Sequence, residues 1–239
     1  MAISIRAGRN RPRPAARLLL PLGLLGVAVV AAIVFVGYVL WPRWPAEVAA
    51  DTPSLPITVA GTTFNVPPAA IRVAIQRKSG VQERLDLAFL WPSLAPPPPA
   101  NGKPAKPDPD SPPAKVTDRM FVTLATADTL PLLERLRTIY PRYTMPAPIA
   151  GPAGLMLLGF RDDTPYRNEE LAFDPAAPEA FVVRCAKSDS SPVRGSCLYE
   201  RRIGNADITV RFPRDLLPEW REVASGIDRL IAGFRPTGG

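Results

Sequence analysis

The chain has 239 residues, 46% of them apolar, which is enough for one or two globular domains, and its 31 prolines disfavour an ordinary helical bundle. Histidine is absent and there are only 2 cysteines, which excludes Ser-His-Asp triads, Cys-His dyads, His-ligated metals and four-cysteine zinc sites. The net charge of +7 is concentrated in Arg6, Arg9, Arg11, Arg13 and Arg17, so the remainder is nearly balanced and lacks the basic face that a nucleic-acid partner requires.

Residues 1–17 read as a basic cytoplasmic tail. Leu18 to Trp41 carries no charge, and about 20 such residues cross the hydrocarbon layer as a helix. This run is expected to be a transmembrane helix contacting the lipid bilayer, with Pro21 tolerated in its first turn. Tyr38, Trp41 and Trp44 suit the far headgroup level, and the arginines before the span keep that end in the cytoplasm. A cleaved signal peptide ending at Val48-Ala49-Ala50 is the competing reading, but its apolar core would be only about 7 to 15 residues long. Ala28 and Ala32 form a small-xxx-small pair compatible with helix dimerisation, but such pairs are frequent in alanine-rich spans, so a homodimer has no further support in the sequence.

Residues 42–55 form a proline-marked tether, and residues 56–236 the extracytoplasmic domain. Ile57 to Val59 and Phe64 to Val66 alternate around Gly61 and predict a hairpin. Arg84 to Phe89 predicts a further strand. Residues 92–117 follow as a Pro-rich loop, with ten prolines between Pro92 and Pro113. That composition favours disorder or polyproline II. The segment before it is too small to fold alone, so the loop is expected to be inserted within one domain.

Met120 to Ala125 predicts a strand. Asp128 or Thr129 is placed to cap a helix in which Leu132, Leu133, Leu136, Ile139 and Tyr140 share a face. Gly154 to Phe160 is a nearly continuous apolar run expected of a central strand, and strand, helix, strand suggests a crossover unit. Phe181 to Cys185 and Cys197 to Ile203 flank a turn and predict neighbouring antiparallel strands. Asp207 to Phe212 predicts another. Asp215 is placed to cap a last helix carrying Trp220, Val223, Ile227, Ile231 and Phe234 at helical spacing. The expected fold class is α+β: an N-terminal transmembrane helix, then a mostly antiparallel sheet with two packed helices.

Cys185 and Cys197 predict a disulfide, because export oxidises thiols and the strands bring the pair together. Asp162, Asp163, Glu169 and Glu170 offer paired carboxylates for glycoside hydrolysis, or oxygen ligands for Ca²⁺, but resemble an ordinary solvated loop beside Arg161 and Arg167. Arg201, Arg202, Arg211 and Arg214 are candidates for a surface that meets an anionic polymer. No Ser-x-x-Lys, Gly-x-Ser-x-Gly, phosphate-loop or dinucleotide motif occurs, so no catalytic residue, metal or cofactor is assigned.

Val59 to Arg72, followed by Arg84 to Leu94, resembles the start of uncharacterised single-pass, membrane-anchored envelope proteins of bacteria. The resemblance implies placement in the inner membrane with a periplasmic domain, and supplies no assigned activity to carry over. The expected function is non-enzymatic binding of another envelope protein or polymer. The alternative is a carboxylate-dependent periplasmic hydrolase acting on cell-wall glycan.

Overall fold

The computed structural model describes residues 15–40, 52–98, 119–187 and 195–235. Two compact units divide the chain, 1–46 and 47–239. In the first, α1 runs from Ala15 to Leu40. Its described side chains, those of residues 23–39, are all exposed. Among the described residues no helix is long and apolar enough to cross a membrane. The flanks of the expected span, and most of the tether and proline-rich loop, lie outside the described side chains.

In the second unit, β1 (Leu55–Val59) and β2 (Thr62–Val66) form the expected hairpin, and β3 (Gly80–Val81) joins β1 in parallel. Then come β4 (Arg84–Leu90), β5 (Arg119–Thr126), α2 (Leu132–Thr138), β6 (Ile149–Ala150) and β7 (Met156–Gly159). β8 (Glu169–Phe173), β9 (Val182–Ala186), β10 (Ser196–Ile203), β11 (Ala206–Pro213) and α3 (Trp220–Gly233) complete the fold. An eight-stranded antiparallel sheet runs β4-β5-β11-β10-β9-β8-β7-β6.

Strand alternation divides this sheet between two cores. On one face Leu87, Val122, Val210 and Cys197 join the inner side of the small sheet, Ile57 and Phe64, and the α3 residues Val223, Ile227 and Ile231. Those α3 positions recur at helical spacing, so one stripe is buried and the polar remainder is exposed. On the other face α2 and the turn after it cover Phe160, Leu171 and Val182 through Leu132 and Tyr140. The Tyr140 and Phe160 rings meet edge to face at 5.3 Å. Each fully buried aromatic or aliphatic side chain of this kind stabilises by about 1.5–3 kcal/mol relative to exposure.

Several expectations need correction. β7 is penultimate to an edge, and its four residues are only half-buried, so it is not a central strand. The crossover unit is absent: β5 pairs with β4 and β11, and four strands separate it from β7. α2 begins at Leu132 after Pro131, without a side-chain cap from Asp128 or Thr129. Leu133, expected on its buried face, is exposed.

Arg214 to Glu219 is a 3-10 segment and α3 starts only at Trp220. Pro218 explains the delay, because its nitrogen has no hydrogen to donate to the preceding turn. Gly226 of α3 lies where a Cβ would come 2.7 Å from Trp91 Cζ3, so the missing side chain admits the indole.

Candidate functional site

β10 is longer than the strand beside it. β9 pairs with it only from Cys185↔Cys197 to Val183↔Tyr199, while β11 accompanies it to Ile203↔Ala206. Beyond Tyr199 the β8–β9 hairpin closes through a tight turn in which Phe181 N–H donates to Ala177 O. A slot therefore opens in the sheet, bounded by Glu200 to Arg202 on one side and by Glu179, Ala180 and Val182 on the other. Leu130 to Leu133 and Asp228 complete a cavity of about 440 Å³.

The register dictates what β10 offers to this slot. Cys185 and Cys197 are directly opposite with Cα atoms 4.0 Å apart, the close spacing of a non-hydrogen-bonded antiparallel pair. Leu198 therefore aims its N–H and C=O at β9, and so, two and four residues on, do Glu200 and Arg202. Ile203 and Ala206 flank a two-residue turn at Gly204 and Asn205, where the flanking pair is hydrogen-bonded across the hairpin. Counting back from that end gives the same assignment. The last pair, Val183↔Tyr199, is closed by Glu200 N–H donating to Val182 O. Past it β9 has no residue paired with Arg202, and among the described residues no loop main chain bonds the Glu200 C=O or the N–H and C=O of Arg202. Gly204 has a φ of +58°, and a Cβ there would meet Thr62 Oγ1 at 2.8 Å, so the hairpin tip rests closely on β2.

The charges around the slot are matched. Arg202 Nε is 2.7 Å from Asp207 Oδ1, and this contact holds the guanidinium pKa above its ordinary value. Arg201 pairs with Asp228 of α3, Arg137 with Glu179, and Arg135 with Glu200. Arg135 also donates to Tyr140 Oη at 2.8 Å and to Leu130 O at 3.0 Å, fastening α2 to β10 at the slot mouth. Burial raises the pKa of the Tyr199 phenol at the slot floor.

The candidate carboxylates do not converge. Glu169 and Glu170 are neighbours in β8 and project from opposite faces. Glu169 lies 3.1 Å from Arg184 on the α2 side, whereas the buried Glu170 pairs with Arg214 on the α3 side. Asp163 is exposed beside Arg161 at 3.4 Å, and Asp162 is exposed with Lys187 Nζ at 4.0 Å. Among the described residues no group of acidic, cysteine or histidine side chains has the arrangement to hold a metal ion.

The four arginines are dispersed as well. Arg202 and Arg211 share the outer sheet face, but Asp207 neutralises the first; Arg201 and Arg214 pair elsewhere. Cys185 and Cys197 form a disulfide joining β9 to β10.

No family model and no curated protein sequence matches this chain. Among solved structures it is similar to Smlt3025, an immunity protein of the Stenotrophomonas maltophilia type IV secretion system. That match has a TM-score of 0.53 and 13% identity, and covers 81% of this chain and 100% of the other. A match to the Neisseria meningitidis iron-regulated outer membrane lipoprotein FrpD has a TM-score of 0.44 and 10% identity over 80% of this chain and 96% of that one. At these identities the first likeness establishes the shared fold.

The slot was not among the residues singled out from sequence. Its signal was present in the unequal lengths of the strands predicted around Cys185 and Cys197.

Proposed function

We propose that this chain is a non-enzymatic, single-pass protein of the bacterial inner membrane whose periplasmic α+β domain binds another envelope protein. The observation that carries the placement is the combination of an uncharged run from Leu18 to Trp41 with a disulfide between Cys185 and Cys197 downstream. The run spans the bilayer with the arginine-rich end inside, and the disulfide suits an oxidising exterior. The apolar length that this needs includes residues on both sides of the described side chains of α1.

Binding rather than catalysis is favoured by the site chemistry. Each of the four candidate carboxylates stands beside its own cation, and no two converge on a common point as a hydrolytic pair requires. The immunity protein with this fold also belongs to a secretion system, and that context agrees with an envelope role.

The test uses the full chain in cells. A reporter fused after Gly239 should be active outside the cytoplasm, and the chain should resist alkaline extraction from membranes. Recovery of a shortened product in the soluble fraction would overturn the placement. In-cell crosslinking from the exported domain should yield one specific envelope protein; a polymer-only adduct or no specific adduct would overturn the binding reading.

A further inference from the structure

The geometry points to strand addition: we infer that the slot beside β10 receives an extended segment of a partner polypeptide, which pairs with the C=O of Glu200 and the main chain of Arg202. This deepens the protein-binding reading above and rests on it.

Three observations converge. The first is the hydrogen-bonding demand. Both ends of the β10 register turn the main chain of Glu200 and Arg202 toward β9; Val182 O takes the Glu200 N–H, which leaves the Glu200 C=O and the N–H and C=O of Arg202 beside the slot, where β9 has stopped. Main-chain groups left beside a cavity seek partners, and alternating donors and acceptors spaced two residues apart match another strand.

The second is the charge balance. Glu179, Glu200, Arg201 and Arg202 each already have an opposite charge, from Arg137, Arg135, Asp228 and Asp207. A charged small ligand would have to break one of those pairs, whereas a neutral backbone would not. The third is size. A cavity of about 440 Å³ is small for a helix but admits a few residues of extended chain with small side chains. A central sheet also provides a fixed template, so little ordering cost falls on this side of the complex.

The experiment uses the full chain in detergent micelles and a phage-displayed library of random peptides about six residues long, the usual strand length. Selected peptides should slow amide exchange at Arg202. Arg202→Pro removes the slot-facing hydrogen without removing a bond to β11, and should weaken binding about tenfold or more, the effect of one lost hydrogen bond with added steric conflict. Arg202→Ala keeps the amide and removes the side chain alone, so it should weaken binding less than Arg202→Pro. Ala180→Trp fills the slot from the opposite wall, leaves β10 untouched, and should abolish binding; it decides the matter if the proline variant does not fold.

Failure to select any peptide, or protection elsewhere without protection at the Arg202 amide, would overturn the inference. So would binding indifferent to Ala180→Trp. A specific in-cell crosslink mapped to another surface would remove strand addition and leave the protein-binding reading standing.

Discussion

Glu170 and Arg214 form an ion pair on the core side of the sheet, one strand over from the disulfide: Glu170 is opposite Cys185, which is opposite Cys197. Arg214 Nη1 also donates to Ala186 O at 2.8 Å, and its amide donates to Gly195 O at 2.9 Å. One residue, through its side chain and its amide, thus closes the ends of β9, β10 and β11 where the chain leaves the sheet. Removing one member of a buried pair leaves the other charged and unpartnered, which typically costs about 3–5 kcal/mol. Glu170→Leu and Arg214→Met should each lower stability by roughly that amount, and the double variant should recover most of it. Urea denaturation of the four proteins checks this; additive losses would show that the two side chains act independently.

The disulfide should contribute independently of that pair. A cross-link with sequence separation 12 restricts the unfolded chain by about 3 kcal/mol in the chain-entropy view. Cys185→Ala with Cys197→Ala should therefore lower the unfolding free energy by about 2–3 kcal/mol. Reductant should shift the native protein's denaturation midpoint toward that of the double variant. A midpoint unmoved by both would refute the expectation.

Asp86 gives the fold an acid-sensitive point. A hydrogen bond from the Arg84 guanidinium lowers its pKa below the ordinary carboxyl value, against burial, with further help from Gln76 and Thr123. Gln76 Nε2 and Thr123 Oγ1 approach its oxygens at 3.2 and 3.0 Å. Because the folded value is the lower one, the carboxylate's contribution is fully present above the unfolded pKa of about 4 and is lost as pH falls through the folded value. Asp86→Asn should cost about 1–3 kcal/mol at neutral pH and reduce the slope of stability against pH below about 4. Denaturation midpoints from pH 7 down to the acid limb would reveal an unchanged slope if Asp86 is not involved.

Gly226 should tolerate no side chain cheaply. With Trp91 Cζ3 2.7 Å from an added Cβ, Gly226→Ala must displace the indole or shift α3. Overpacking of this kind costs about 1–3 kcal/mol, against about 1 kcal/mol gained in helix propensity. A net loss of stability with a changed tryptophan emission is expected; a stabilised variant with unchanged emission would contradict it.

Where the sequence pattern was strong and local, the elements were legible. Met120 to Ala125 and Asp207 to Phe212 alternate cleanly, and both are strands within a residue or so of their expected bounds. The α3 stripe was equally clear. β8 was missed because Glu169 and Glu170 open it, and only Leu171 to Phe173 are apolar. The crossover error had a different origin: which strands pair is fixed by contacts distant in sequence, and no local period encodes them. The slot depends on β9 ending before β10, a relation between two strands that neither carries alone. The carboxylate cluster was adjacent in sequence, yet strand alternation sends Glu169 and Glu170 to opposite faces.

Leu90 and Arg119 are cross-strand neighbours in β4 and β5, although the proline-rich stretch separates them in sequence. Its two anchor points are consequently fixed side by side at one edge of the sheet. Lengthening such a detour weakens closure only logarithmically, by about 0.6 kcal/mol per doubling. Evolution or an engineer is therefore free to trim it, extend it or splice an epitope into it, altering what that rim displays to its surroundings while the barrier to unfolding the interior stays nearly where it was.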